Sequence, residues 1–156
     1  MLYSAGTGYA LRALAAMPEQ GPYLLAKDLA LKLGLPGPYL AKVLKLLAHQ
    51  GLLTSVRGPH GGFRLNRPAA SITVEEVVAV MNAIEGPTAC VMGFANCIAK
   101  DHDHPCPLHT AWCSARADLD QTLARVTIRD LQELELPAAQ EVPKSKRLGH
   151  AVGRQA

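Results

Sequence analysis

Apolar residues recur at helical spacing through the first third of the chain and then give way to short strand-forming runs. Over residues 7–17, Ala10, Leu11, Leu14 and Met17 share one helix face. Pro18 stops that helix and Gly21-Pro22 makes a turn. A second helix is predicted from about Ala26 to Leu33, with Leu25, Leu29, Ala30 and Leu33 as its inner stripe. Gly34 suits the left-handed position after its end. Leu35-Pro36-Gly37 is a short turn, and Pro38 can open a third helix because its missing N–H is not needed there. In the third helix Leu40, Val43, Leu44 and Leu47 repeat at i, i+3, i+4 and i+7 and face inward. Ala41, Lys42, Lys45 and His49 then face outward, and Gly51 follows the end.

Two helices joined by so short a turn make either a plain helical hairpin or a helix-turn-helix whose second helix enters a major groove. The next segment shifts the balance toward the second. Leu52 to Val56 reads as a strand, Arg57-Gly58-Pro59-His60-Gly61-Gly62 as a turn, and Phe63-Arg64-Leu65 as a returning strand. Its glycines permit a tight tip and close approach to a phosphate backbone. Arg57 and Arg64 flank that tip, and an arginine on a thin hairpin can reach into a minor groove. A helix-turn-helix followed by a basic two-stranded wing is a winged helix.

Thr73 and Glu76 form a capping-box pattern at the start of a fourth helix, with Val77, Val80, Met81 and Ile84 as its apolar face. Gly86-Pro87 ends it, and a loop follows. From about His109 the helical pattern returns, with Trp112, Ala115, Leu119, Leu123 and Val126 at steps of three and four. Such a stripe needs cover, from the same chain or from a second copy; its place after a complete winged helix favours a homodimer. Thr127 and Asp130 suggest a new cap, opening a short helix with Leu131 and Leu134. The predicted fold is mainly α with a small two-stranded wing, a winged helix-turn-helix plus a long dimerisation helix. Its parts are a DNA-binding domain (1–86), a cysteine-rich metal-binding loop (87–108), the dimerisation helix with a short terminal helix (109–136), and a flexible basic tail (137–156).

Charge sharpens this division. The formal net charge is +3, but residues 1–72 hold eight Lys/Arg against two Asp/Glu, and residues 73–136 hold four against ten. A basic first part fits a phosphate-backbone partner or an ordinary solvated surface, and charge alone does not separate the two. The opening residues have no signal-peptide pattern and no apolar run is long enough to span a membrane, so the expected compartment is the cytoplasm, where thiols stay reduced.

All four cysteines and three of the six histidines lie between Cys90 and Cys113. Reduced cysteines gathered in a loop point to metal or redox chemistry. Thiolates favour iron–sulfur clusters, zinc and copper(I), and a Cys-Cys-Cys-His set also completes a structural zinc site. Six and eight residues separate the first three cysteines, and this spacing leaves those metals open. His102 and His104 read as solvated loop residues, with substitution for His109 as a ligand their other role. Cys113 reads as a half-buried core thiol, with fallback ligand or disulfide partner as its other roles. No phosphate-binding glycine loop and no nucleophile–base pair is present, which argues against an enzyme.

Several segments together resemble the iron–sulfur winged-helix transcriptional regulators of bacteria, the IscR-, NsrR- and CymR-like group. The wing Ser55-Val56-Arg57-Gly58-Pro59-His60-Gly61-Gly62-Phe63-Arg64-Leu65 carries most of the likeness. Tyr9-Ala10-Leu11-Arg12, Pro38-Tyr39-Leu40, Glu85-Gly86-Pro87 and Cys106-Pro107-Leu108-His109-Thr110-Ala111-Trp112 add to it. The resemblance implies a repressor on a palindromic double-stranded operator, controlled by a cluster that senses nitric oxide, redox state or iron–sulfur status. It implies Cys90, Cys97 and Cys106 as cluster ligands with His109 as the fourth. Some members instead use a carboxylate near the other subunit's N-terminus, where this chain has Gly8, which has no donor. The cysteine gaps are longer than usual for the group, Cys113 is extra, and Pro36, Pro38 and Ala41 replace residues often polar there. The expected DNA contacts are Tyr39, Lys42 and Lys45 on the third helix and Arg57, Gly58, His60, Gly61 and Arg64 on the wing. The alternative is a zinc-containing or metal-free thiol-switch regulator, with Cys106 and Cys113 oxidising, that acts with a partner protein.

Overall fold

The computed structural model describes residues 4–85, 90 and 106–134. Among these, the chain forms α1 (Ala5–Ala15), α2 (Ala26–Leu33), α3 (Gly37–His49), β1 (Leu53–Val56), β2 (Gly62–Leu65), a 3-10 turn at Ala69–Ser71, α4 (Val74–Glu85), α5 (His109–Leu123) and α6 (Ile128–Gln132). The element order is the expected one. Cys97, His102, His104 and the basic tail lie outside the described residues. The first helix begins earlier than its apolar stripe suggests because Ser4 caps it, its Oγ accepting from the Thr7 N–H at 3.0 Å. Met17 remains buried although the helix has ended at Ala15.

α1 is the central element and packs against α2, α3, α4 and α6. Its buried positions are mostly small, Gly6, Thr7, Ala10 and Ala13, which lets neighbours approach closely; Leu14 is the exception. From α3 come Leu40, Val43, Leu44 and Leu47, and from α4 Val77 and Met81. The apolar stripes read from the sequence are therefore the surfaces that meet.

The hairpin pairs Leu53 with Leu65, Thr54 with Arg64, Ser55 with Phe63 and Val56 with Gly62. Phe63 and Leu65 turn inward onto the core. Leu24 adds a third short edge by exchanging two 2.9 Å backbone hydrogen bonds with Phe63. Asn66 ties off the base: its amide donates to the Gly51 carbonyl at 3.0 Å and its Oδ1 accepts from Thr54 at 2.8 Å.

Beyond α5 the chain turns back onto its own head. The Val74 N–H donates to the Val126 carbonyl at 2.9 Å and the Ile128 N–H to the Ile72 carbonyl at 2.8 Å. Val126 thus lies past the helix, in this backbone ladder, and the α5 stripe ends at Leu123. Thr127 and Asp130 form the expected capping box on α6. Gln132 donates to the Met17 carbonyl at 2.7 Å, and Arg129 pairs with Glu19 at 2.5 Å. Ile128 is fully buried and joins the same core as Leu14 and Leu44. Ile128→Ala is expected to lower the unfolding free energy by about 2–5 kcal/mol, read from urea denaturation of the purified protein.

Candidate nucleic-acid interface and metal centre

α2 and α3 meet through a turn built by Gly34, whose φ of 63° lies in the left-handed region. The Leu35 N–H donates to the Ala30 carbonyl at 2.9 Å, closing the C-terminus of α2. Arg12 of α1 donates to the Leu33 carbonyl at 2.7 Å, a cation on the negative end of that helix. With its leucine stripe buried, α3 leaves Tyr39, Lys42 and Lys45 exposed, and its first turn has no acidic residue. Tyr39 packs edge-to-face on Tyr9, with ring centroids 5.7 Å apart. That contact steadies one end of the exposed face.

At the wing tip Arg57, Gly58, Pro59 and His60 are exposed. Gly58 has a φ of 119° with open space where a side chain would stand. Gly61 is different: it is buried, and a β-carbon there would come within 2.2 Å of the Val56 carbonyl oxygen. Its place is inside the bend, where it gives the hairpin its shape. Arg64 stands at the wing base, half-buried, with its guanidinium 4.7 Å from the centre of the Tyr23 ring. Sequence reasoning missed Tyr23 and Asn66. Neither belongs to a periodic run, so nothing local marks them.

Behind the wing, Arg67 donates to Glu76 at 2.6 Å and to the Ser71 carbonyl at 2.7 Å. Glu76 also accepts from the Thr73 N–H at 2.9 Å, completing the cap of α4. Burial pushes the Glu76 carboxyl up, but the Arg67 hydrogen bond, the Thr73 backbone bond, the Arg67 charge and the Thr73 hydroxyl outweigh it. The net result lies below the ordinary value.

Of the expected metal ligands, Cys90 is buried just past α4. Cys106 and His109 are half-buried at the start of α5, where the His109 N–H donates to the Cys106 carbonyl at 3.0 Å. Cys97 is not among the described residues, and no three metal-binding side chains come together among those that are. Cys113 departs from expectation. It is exposed, because α5 buries none of its residues, and its Sγ lies 3.7 Å from His109 Nε2 and 3.8 Å from Nδ1. Thiol and imidazole donors of this kind suit both iron–sulfur and zinc chemistry.

A short-turn helix pair presenting lysines, followed by a glycine-shaped hairpin with an exposed arginine, defines a winged-helix DNA-binding protein. The family model Rrf2, described as an iron-dependent transcriptional regulator, matches residues 3–134, and the chain belongs to that family. It is 33% identical to the HTH-type transcriptional regulator IscR of Klebsiella pneumoniae over 126 residues, 79% of this chain and 74% of that one. Among solved structures, T. potens IscR superposes with a TM-score of 0.63 at 26% identity, covering 84% of this chain and 85% of that one. The B. subtilis cysteine regulator CymR gives 0.67 at 23% identity, covering 85% and 96%, and supports the fold. The protein is thus a transcriptional regulator and not an enzyme. Among the described residues no helix is long and apolar enough to cross a membrane.

The Arg67–Glu76 cap has a pH signature. A carboxylate held below its ordinary value stabilises the fold above that value, and the contribution is lost as pH falls through the lowered one. Urea unfolding measured at steps between about pH 5 and pH 3 is expected to show a steeper loss of stability for wild type than for Glu76→Gln.

Proposed function

We propose that the protein is a homodimeric cytoplasmic repressor whose operator affinity is set by an iron–sulfur cluster. One observation carries this reading: Cys106 and His109 stand at one end of α5, and the other end is fastened to the DNA-binding head through residues 126–128. A change of ligation at the first end therefore acts on a rigid rod joined to the head. The 33% identity to IscR supports the choice of cluster over zinc.

Cys90, Cys97, Cys106 and His109 would hold the group. When bound, the cluster supplies a redox- and nitric-oxide-reactive iron centre whose loss is the signal. The chain's own part is mechanical and electrostatic. α5 has no buried residue, and half-buried Trp112, Leu119 and Leu123 lie along it at steps of seven and four. A second copy covers that face, since an unpartnered apolar helix is otherwise left in water. Two heads then reach successive major grooves about one helical turn apart, so the operator is palindromic. Tyr39, Lys42 and Lys45 meet the groove and its phosphates. The wing's Arg57, Gly58 and His60 approach the flanking backbone, Gly61 shapes that approach, and Arg64 braces the wing on Tyr23.

Iron and acid-labile sulfide assayed on protein purified without oxygen test the cofactor; zinc in their place points to the alternative metal. In gel shifts, Cys97→Ala is expected to bind the operator with an affinity different from that of the cluster-loaded wild type; equal affinity removes the coupling. For the interface, Lys45→Ala is expected to weaken binding and reduce the slope of log K against log salt by about 1, measured by fluorescence anisotropy on an operator duplex.

A further inference from the structure

A cleft of about 240 Å³ lies at the base of the wing. It is bounded by Glu19 and Gln20 of the loop after α1 and by the run from Arg64 to Pro68 that leaves β2. Two of its polar side chains are committed elsewhere. Arg67 is held by Glu76 and the Ser71 carbonyl, and the Asn66 amide by Gly51 and Thr54. The other three keep donors or acceptors unused among the described residues. Arg64 rests on the Tyr23 ring, a contact that orients the cation but supplies no acceptor oxygen to its N–H groups. The two bonds to Glu19, from the Ala69 N–H and from Arg129, both fall on Oε1, which leaves the lone pairs of Oε2. The exposed Gln20 amide has no hydrogen bond among the described residues. Arg64 and Glu19 thus line one cleft with opposite charge, yet they stand beyond ion-pair distance of each other.

A cation and a carboxylate separated by a gap match a molecule that carries both charges. The planar guanidinium takes a carboxylate through two parallel N–H···O bonds. The Glu19 carboxylate takes an ammonium, and the Gln20 amide can give or accept a further bond. A simple anion, a DNA phosphate included, would meet Arg64 but be repelled by Glu19. The volume lies below the ~300–1,000 Å³ of pockets for drug-sized ligands, which suits a small metabolite. We propose that this cleft binds a free α-amino acid, its carboxylate on Arg64 and its ammonium on Glu19, as an effector of operator affinity. The bound molecule ties the loop after α1 to the exit of the wing. Through Arg129, the same Glu19 is already joined to α6. The site is independent of any metal bound elsewhere.

The test is a nitrogen–proton NMR titration of the full-length protein with each common L-amino acid up to about 10 mM. Acetate and methylamine, which carry the two charges separately, are titrated alongside. Expected is saturable movement of the Gln20, Leu65 and Asn66 amide signals with at least one amino acid, binding about tenfold or more tighter than either control. Gln20 is exposed and belongs to neither the recognition helix nor the wing. Gln20→Trp is expected to fill the cleft, abolishing amino-acid binding while operator affinity without ligand stays at the wild-type value. Arg64→Leu is expected to lose amino-acid binding as well, with far-ultraviolet circular dichroism to verify its fold. No saturable shift with any amino acid, or unchanged shifts in both variants, overturns the site. Equal affinity for acetate overturns the amino-acid assignment. In fluorescence anisotropy, a saturating concentration of the amino acid that binds is expected to change wild-type affinity for an operator duplex by about fivefold or more, and that of Gln20→Trp not at all. Unchanged wild-type affinity overturns the effector role.

Discussion

The burial of one face of α3 against α1 is the constraint on which the rest depends. Leu40, Leu44 and Leu47 are fully removed from water, each contributing about 1.5–3 kcal/mol of transfer free energy. That burial leaves α3 no rotational freedom, so its opposite face, with Lys42 and Lys45, is fixed relative to the body. The small residues of α1 make the close approach feasible, and Arg12 on the end of α2 holds the turn between the two helices at one angle. The wing inherits its position from the same core through Phe63 and Leu65.

A second constraint links this head to the region of the cysteines. The ladder between residues 72–74 and 126–128 sits directly ahead of α4 and directly behind α5. Glu19 strengthens it from the other side, accepting from the Ala69 N–H at 3.0 Å as well as pairing with Arg129. The acidic middle of the sequence is thus not a uniform solvated surface. Glu76 and Asp130 are committed to helix caps, where their charge meets unpaired N–H groups.

Much of this was legible in the sequence because it follows from periodicity and turn chemistry. The leucine stripe of α3, Gly34 after α2, the Thr73–Glu76 cap and the hairpin from Ser55 to Leu65 are each local patterns with one structural solution. What was not legible depends on partners distant along the chain. Val126 keeps step with Leu119 and Leu123, so its period cannot show that the helix has ended and the backbone has paired with Val74. Arg64 reads as a free wing cation until Tyr23, from the loop before α2, is seen beneath it. Cys113 falls at the same spacing as buried positions elsewhere. Its exposure depends on what α5 packs against, which a helical period does not encode.

The return of α6 makes the winged-helix unit discontinuous. Its continuous part, through α4, leaves a slot that, among the described residues, Ile128 and its neighbours fill, and those residues arrive after the entire cysteine region has been made. On the ribosome the reading head therefore cannot reach its full stability until α6 has emerged. A fragment ending at α4 is missing a piece of its own interior.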